Sequence, residues 1–138
     1  EPTRLNDKSG ITPPSFSPDG KRVAYSYVDE QRGSVEIVEV VDFPNGTLLS
    51  SIQLPSTENV TNNSRLRWTS DGRSISYIDV REGVSNIWSQ SLAGGPPKQI
   101  TKFKTGIIYT HSWSRDGKML VLARGDVTSD AVLISNFR

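Results

Sequence analysis

FSPDGKRVAY, residues 16–25, returns as WTSDGRSISY at residues 68–77 and again as WSRDGKMLVL at residues 113–122. In each copy an aromatic residue stands three positions before an aspartate and a glycine follows it. A cation comes next, and large apolar residues fall four and six positions after the aspartate. The short aspartate side chain can accept hydrogen bonds from nearby backbone amides, and the glycine takes the positive φ that strains a residue with a Cβ. Asp19, Gly20, Asp71, Gly72, Asp116 and Gly117 therefore read as structural turn residues, with the charges of Lys21, Arg73 and Lys118 kept in water. The turns recur at 52 residues from Asp19 to Asp71 and at 45 from Asp71 to Asp116, near the spacing of four-stranded propeller blades.

Around these turns the chain reads as short strands rich in Val, Ile, Tyr and Leu, with no apolar periodicity of helical length. The first unit offers strands at Thr12 to Phe16, Arg22 to Val28, Ser34 to Val41 and Thr47 to Leu54. The second offers Ser64 to Trp68, Ser74 to Val80, Ser85 to Leu92 and Pro97 to Thr101, with Gly94-Gly95-Pro96 as the break before the last. The final unit holds Tyr109 to Trp113, Met119 to Ala123 and Ala131 to Ser135. Residues 2–6 parallel Pro97 to Thr101 and predict an outer strand in phase to close the last blade.

The expected fold is all-β: blades at 11–55 and 60–101, three strands of a blade at 107–137, and the closing strand at 2–6. Propellers use about four to eight blades, because each blade must bury both faces against neighbours. The chain is thus expected to be a partial propeller, the last three blades of a larger protein, or half of a six-bladed ring closed by homodimerisation. An unpaired edge at 131–135 would need cover in any of these cases.

Composition narrows the chemistry. Sixteen basic and fifteen acidic residues leave a net charge of +1 over 138 residues, so no bulk electrostatic pull toward nucleic acid is expected. The apolar runs are short and interrupted, so no membrane insertion is expected. Cysteine is absent, which removes disulfide and thiolate chemistry without fixing a compartment. A first residue of Glu1 instead of Met suggests processing or excision. One acidic residue per turn does not make a calcium loop, and neither a phosphate-binding glycine pattern nor the kinase signatures occur. No metal and no cofactor are expected. The single histidine, His111, neighbours Ser112, but adjacent strand residues point to opposite faces and make a poor catalytic pair.

The pattern W/F-S-P-D-G-K-x-hydrophobic-A-hydrophobic resembles the WD40-like repeat (PD40) of the TolB family, also found in the propellers of prolyl-oligopeptidase-like enzymes. FSPDGKRVAY matches it best; Ser70 and Arg115 replace the family proline in the other two copies. The segment from Trp113 to Arg138 resembles the C-terminal propeller of bacterial multidomain serine/threonine kinases, or of proteins with a winged-helix DNA-binding domain. The resemblance implies an architectural repeat that brings no catalytic residues to these positions.

On a propeller, the loops entering the inner strands and those joining second and third strands gather on one ring face. The candidate partner-binding residues there are Asp7, Lys8, Asn62, Arg65, Arg81, Glu82, Lys104, Tyr109, Arg124 and Asp126; His111 reads as structural or channel-facing, with a ligand contact as the lesser alternative. Of these, Arg81, Glu82, Arg124 and Asp126 lie further out, together with Asp29 to Arg32. Mixed charge suits a protein or peptide partner, with charge choosing the partner. The expected function is a non-catalytic module for protein interaction or sensing, not itself an enzyme and attached to a bacterial signalling protein such as a serine/threonine kinase. The alternatives are the substrate-gating propeller of a prolyl-oligopeptidase-like serine peptidase, and a TolB-like periplasmic translocation component.

Overall fold

A computed structural model describes residues 12–33, 35–54 and 66–126 of the chain. The expected closing strand at 2–6 and the third strand at 131–135 lie outside the described residues, as do Asp7, Lys8, Asn62 and Arg65.

The all-β expectation is borne out by three antiparallel sheets. The first holds β1 (Ser15–Phe16), β2 (Arg22–Asp29), β3 (Val35–Asp42) and β4 (Leu48–Gln53) in the order β1-β2-β3-β4. The second holds β5 (Arg67–Trp68), β6 (Ser74–Arg81), β7 (Val84–Ser91) and β8 (Lys98–Gln99) in the same order, and the third pairs β9 (Ile107–Trp113) with β10 (Leu120–Gly125). The one helical element among the described residues is a 3-10 turn, Glu30–Arg32, capped by the Asp29 carboxylate on the amide of Gln31. Its C-cap is Gly33 in the left-handed region.

Where strand limits differ from expectation, the reasons are local. Expected over residues 12–16, β1 is reduced to Ser15–Phe16 because Pro13 and Pro14 have no N–H to give the ladder. Thr12 still reaches across, its amide donating to the Ser26 carbonyl at 2.8 Å. Expected to begin at Tyr109, β9 begins at Ile107, because a bulge lets it pair further. Ala123 lies opposite Thr110 and Arg124 opposite Ile108, leaving Tyr109 unpaired. The bulge also changes the phase of the strand, so Ile108 and His111 are both buried while Tyr109 is exposed.

The three turns share one hydrogen-bond pattern. Asp19 Oδ1 accepts from Ser17 Oγ at 2.5 Å and from the Lys21 amide at 3.1 Å. Asp71 does the same with Thr69 (2.6 Å) and Arg73 (3.0 Å), and Asp116 with Ser114 (2.6 Å) and Lys118 (3.1 Å). Each hydroxyl in turn accepts the amide five residues on: Arg22, Ser74 and Met119. Hydroxyl and amide donors favour the ionised carboxylate, so all three aspartates are held below the ordinary carboxylate range, with the hydroxyl the largest cause. The glycines sit at φ of 68°, 64° and 70°. They also allow the turns to stack: a Cβ on Gly72 would lie 2.8 Å from the Arg22 guanidinium, and one on Gly117 would collide with Ser70 Oγ.

Stacked turns bring the sheets face to face. Between the first two sheets lies an apolar core of Ala24, Val38, Val40, Leu54, Leu66, Trp68, Ile75 and Tyr77, with Trp88 and Leu92 packed against it. The indole of Trp68 reaches back to the first sheet and donates to the Ser15 carbonyl at 2.9 Å. Trp113 does the equivalent one sheet later, donating to Ser76 Oγ at 2.9 Å. The repeat aromatic is therefore an inter-sheet tie as well as a packing residue.

Candidate functional site

A cleft of about 450 Å³ opens beside the β6–β7 hairpin, lined by Asp79, Arg81, Glu82, Val84, Asn86, Trp88, Gln99, Phe103 and Lys104. Cross-strand register explains the grouping. Tyr77 pairs with Trp88, Asp79 with Asn86 and Arg81 with Val84, which puts all six side chains on one face of the second sheet. The hairpin ends in Glu82 (φ 50°) and Gly83 (φ 74°), two consecutive positive φ values of the tight turn that suits strand twist. Asn86 builds the opposite wall: its Oδ1 accepts from the Phe103 amide at 2.7 Å and from Thr101 Oγ1 at 2.9 Å, and its Nδ2 donates to the Phe103 carbonyl.

At the floor is a buried carboxylate. Asp79 is 1% exposed; its Oδ2 accepts from Arg81 Nε at 2.8 Å, and its Oδ1 has no partner among the described residues. The Arg81 guanidinium lies 4.1 Å from the centroid of the Trp88 ring, a cation over an aromatic face. Deeper in, the Tyr77 hydroxyl is buried without a partner among the described residues, and burial followed by the nearby Asp79 charge pushes its pKa up to about 12. On the facing sheet Glu36 accepts from Ser26 Oγ at 2.6 Å, and burial raises its pKa above the ordinary value. The far end of the apolar interface is thus a polar pocket of Glu36, Tyr77 and Asp79.

His111 sits elsewhere. It is 1% exposed between the second and third sheets, with Nε2 2.9 Å from Ser76 Oγ. Ser76 Oγ also receives the Trp113 indole N–H and lies 3.2 Å from the Arg67 carbonyl. All three contacts are satisfied at once if His111 carries its proton on Nε2: the serine then accepts two N–H groups and donates to the carbonyl. His111 Nδ1, without a partner among the described residues, is left a bare acceptor. Burial, and then the Arg67 charge, lower the His111 pKa to about 4. With the hydroxyl fully buried under an indole, no substrate carbonyl reaches it, so Ser76 and His111 form a packing contact.

Of the residues singled out from sequence, Arg81, Glu82 and Lys104 come together in the cleft. Arg124 and Asp126 gather at the neighbouring loop, where the Arg124 guanidinium lies 4.4 Å from the Phe103 ring and donates to Thr105 Oγ1 at 3.2 Å. Tyr109 is exposed near Gly125, whereas His111 is enclosed. Gly125 ends β10 opposite Ile107. The residues that sequence reasoning missed are Asp79, Asn86, Trp88 and Phe103. The signal was present in one of them: Asp79 occupies the buried phase of a strand between Tyr77 and Arg81, where an acid without a purpose is costly. Among the described residues no group of three or more His, Cys, Asp or Glu could hold a metal ion.

No family model matches the chain. It is 28% identical over 116 residues to the uncharacterized peptidase YuxL of Bacillus subtilis, covering 81% of this chain and 17% of that protein. It is 31% identical over 113 residues to dipeptidyl-peptidase 5 of Porphyromonas endodontalis, covering 78% of this chain and 15% of that protein. The chain therefore spans about a sixth of the length of the curated relatives it matches. Among solved structures it is similar to a protein assigned as TolB from Agrobacterium tumefaciens, with a TM-score of 0.61, 22% identity, and coverage of 88% of this chain and 41% of that one. It is also similar to the β-propeller domain of the Trilobed protease from Pyrococcus furiosus, with a TM-score of 0.55, 21% identity, and coverage of 81% and 32%. These matches correct one expectation from sequence, that this segment is non-catalytic and attached to a kinase: both curated relatives it matches are peptidases, and the kinase resemblance draws no support from them. The fold of this chain is a set of TolB-like β-propeller blades, similar to those of peptidase propeller domains.

Proposed function

We propose that the chain is a propeller segment of a serine peptidase of the prolyl-oligopeptidase-like kind, and that its rim cleft meets the peptide on its way to the reacting groups. The observation that carries this reading is the similarity to two peptidases across about four-fifths of the chain. The cleft supports it physically. Peptide main chains offer alternating donors and acceptors, and the wall around Arg81, Lys104 and Trp88 offers exposed cations beside an aromatic face. A gating propeller contributes to which peptide enters, so changes at its rim act on apparent substrate affinity more than on the chemical step.

The test uses the full-length protein. Incubated with a fluorophosphonate probe and with chromogenic aminoacyl and dipeptidyl anilides, it is expected to take one serine label and to hydrolyse at least one substrate. Trp88→Ala is expected to raise KM for peptides of several residues while leaving kcat on the shortest anilide near the parent value. A protein that takes no label and cleaves no peptide overturns the reading.

A further inference from the structure

The guanidinium of Arg81 is fixed from two sides. Nε donates to the buried Asp79 carboxylate at 2.8 Å, and the cation lies 4.1 Å from the centroid of the Trp88 ring. Its Nη groups have no hydrogen-bond partner among the described residues, and the side chain is 54% exposed. Asp79 is wholly buried with one oxygen already unpaired among the described residues, so releasing Arg81 would strand a charge in the interior. An arginine held in this way has given up its rotamer freedom before any ligand arrives. Its free N–H fork matches the two oxygens of a carboxylate. Lys104 brings a second cation to the same cleft, and Phe103 and Trp88 give it apolar walls. Glu82 stands on the rim of the cleft with its backbone at a φ of 50°, a value that side chains seldom adopt. Its negative charge disfavours polyanions such as phosphorylated ligands and leaves room for a single carboxylate.

We propose that this cleft binds a carboxylate carried by a peptide, with the two oxygens accepting from the Nη groups of Arg81 and the Lys104 ammonium as second cation. The choice of a peptide as carrier rests on the peptidase reading above; the choice of a carboxylate rests on the cleft alone. The carboxylate has two sources, a free peptide C-terminus or an acidic side chain, and both present the same pair of oxygens. Asp79 and Trp88 act as positioning residues for Arg81.

Three short peptides separate the possibilities when titrated into the full chain: acetyl-Ala-Ala-Ala with a free C-terminus, acetyl-Ala-Glu-Ala-amide, and acetyl-Ala-Ala-Ala-amide. The readouts are calorimetry and the indole N–H resonance of Trp88, assigned with a Trp88→Phe variant. One or both carboxylate peptides are expected to bind and shift that resonance, more weakly as salt rises, whereas the neutral peptide does neither; which of the two binds identifies the source. Arg81→Gln should weaken binding about tenfold or more, and Arg81→Lys should recover little of it, because an ammonium keeps the charge but not the fork. Glu82→Gln should tighten binding, which guards against misreading a variant that has merely lost its fold, and Lys118→Ala at a distant turn should change nothing. Equal binding of the neutral peptide, binding that survives Arg81→Gln, or no binding by either carboxylate peptide overturns the proposal. Its fate is separable from the peptidase reading: carboxylate binding in a full-length protein that takes no serine label leaves the cleft standing and removes the peptidase, and the reverse result does the opposite.

Discussion

The two inter-sheet interfaces are built from copies of the same repeat and are chemically unlike. Between the first and second sheets, Val38, Val40, Leu66, Trp68, Ile75 and Tyr77 meet with little polar contact until the Glu36 and Asp79 end. Between the second and third sheets a serine, a histidine and an indole form a hydrogen-bonded knot, with Ser76, His111 and Trp113 at its centre. Ser85 adds two ties there: its hydroxyl accepts from the Ile108 amide, and its own amide donates to the Gly106 carbonyl at 3.1 Å. Position 76 lies one residue from Ile75 and so faces the other way, which lets one strand serve a dry interface on one side and a polar one on the other. The lesson is that the repeat fixes how blades stack through its turn and its aromatic, while the intervening strand residues choose what kind of contact the stack makes.

That contrast can be broken from either side. The largest effect is expected in the apolar interface, where Ile75→Ala removes a fully buried side chain and should cost about 2–5 kcal/mol in denaturant unfolding. A loss well under 1 kcal/mol would mean that this interface is loose and that the comparison fails. Next is the acid response of the polar interface. His111 titrates at about 4 in the folded chain against 6.5 when unfolded, so between these values the unfolded chain binds the extra proton. Stability is therefore fully present above pH 6.5, falls as pH drops toward 4, and levels below that, with a total of roughly 3 kcal/mol. His111→Gln should abolish that slope, and a slope that persists would assign it to other groups.

Smaller effects sharpen the picture. Ser76→Ala leaves the Trp113 indole N–H and the His111 ring without their shared acceptor, and should cost about 1–3 kcal/mol; the same change at the exposed Ser112 should cost almost nothing. The smallest expected difference compares turn glycines by thermal unfolding. Gly20→Ala meets open space and bears only the strain of its positive φ, about 1 kcal/mol, whereas Gly117→Ala adds a clash with Ser70 and should be worse. Equal losses at the two positions would show that the turns do not stack tightly.

Much of this architecture is legible in the chain. Trp68 and Trp113 could be placed at repeat starts, the three Asp-Gly turns located, and strand limits set to within a few residues, since each depends on short-range chemistry. The candidate site was legible only in its outer members. Arg81, Glu82 and Lys104 stand at loop positions that the blade pattern places on one ring face. Asp79 carried a signal in its buried strand phase, but nothing local names its partner as an arginine, and nothing local marks the loop Phe103 as a wall. For His111 the sequence left a structural and a channel-facing role open, and only the approach of the third sheet, with the bulge beside Tyr109, decides its burial.

By itself the sequence determined the all-β class, the turn chemistry and the repeat spacing. In each of these a hydrogen bond or a φ value is settled by residues within about half a dozen positions of one another. Tertiary structure decided which strand face is dry and which polar, that Ser76 and not Ser112 meets His111, and that Arg81 is clamped between Asp79 and Trp88. Those outcomes depend on register and on the approach of whole sheets, which set the burial of a side chain and thereby the cost of its charge.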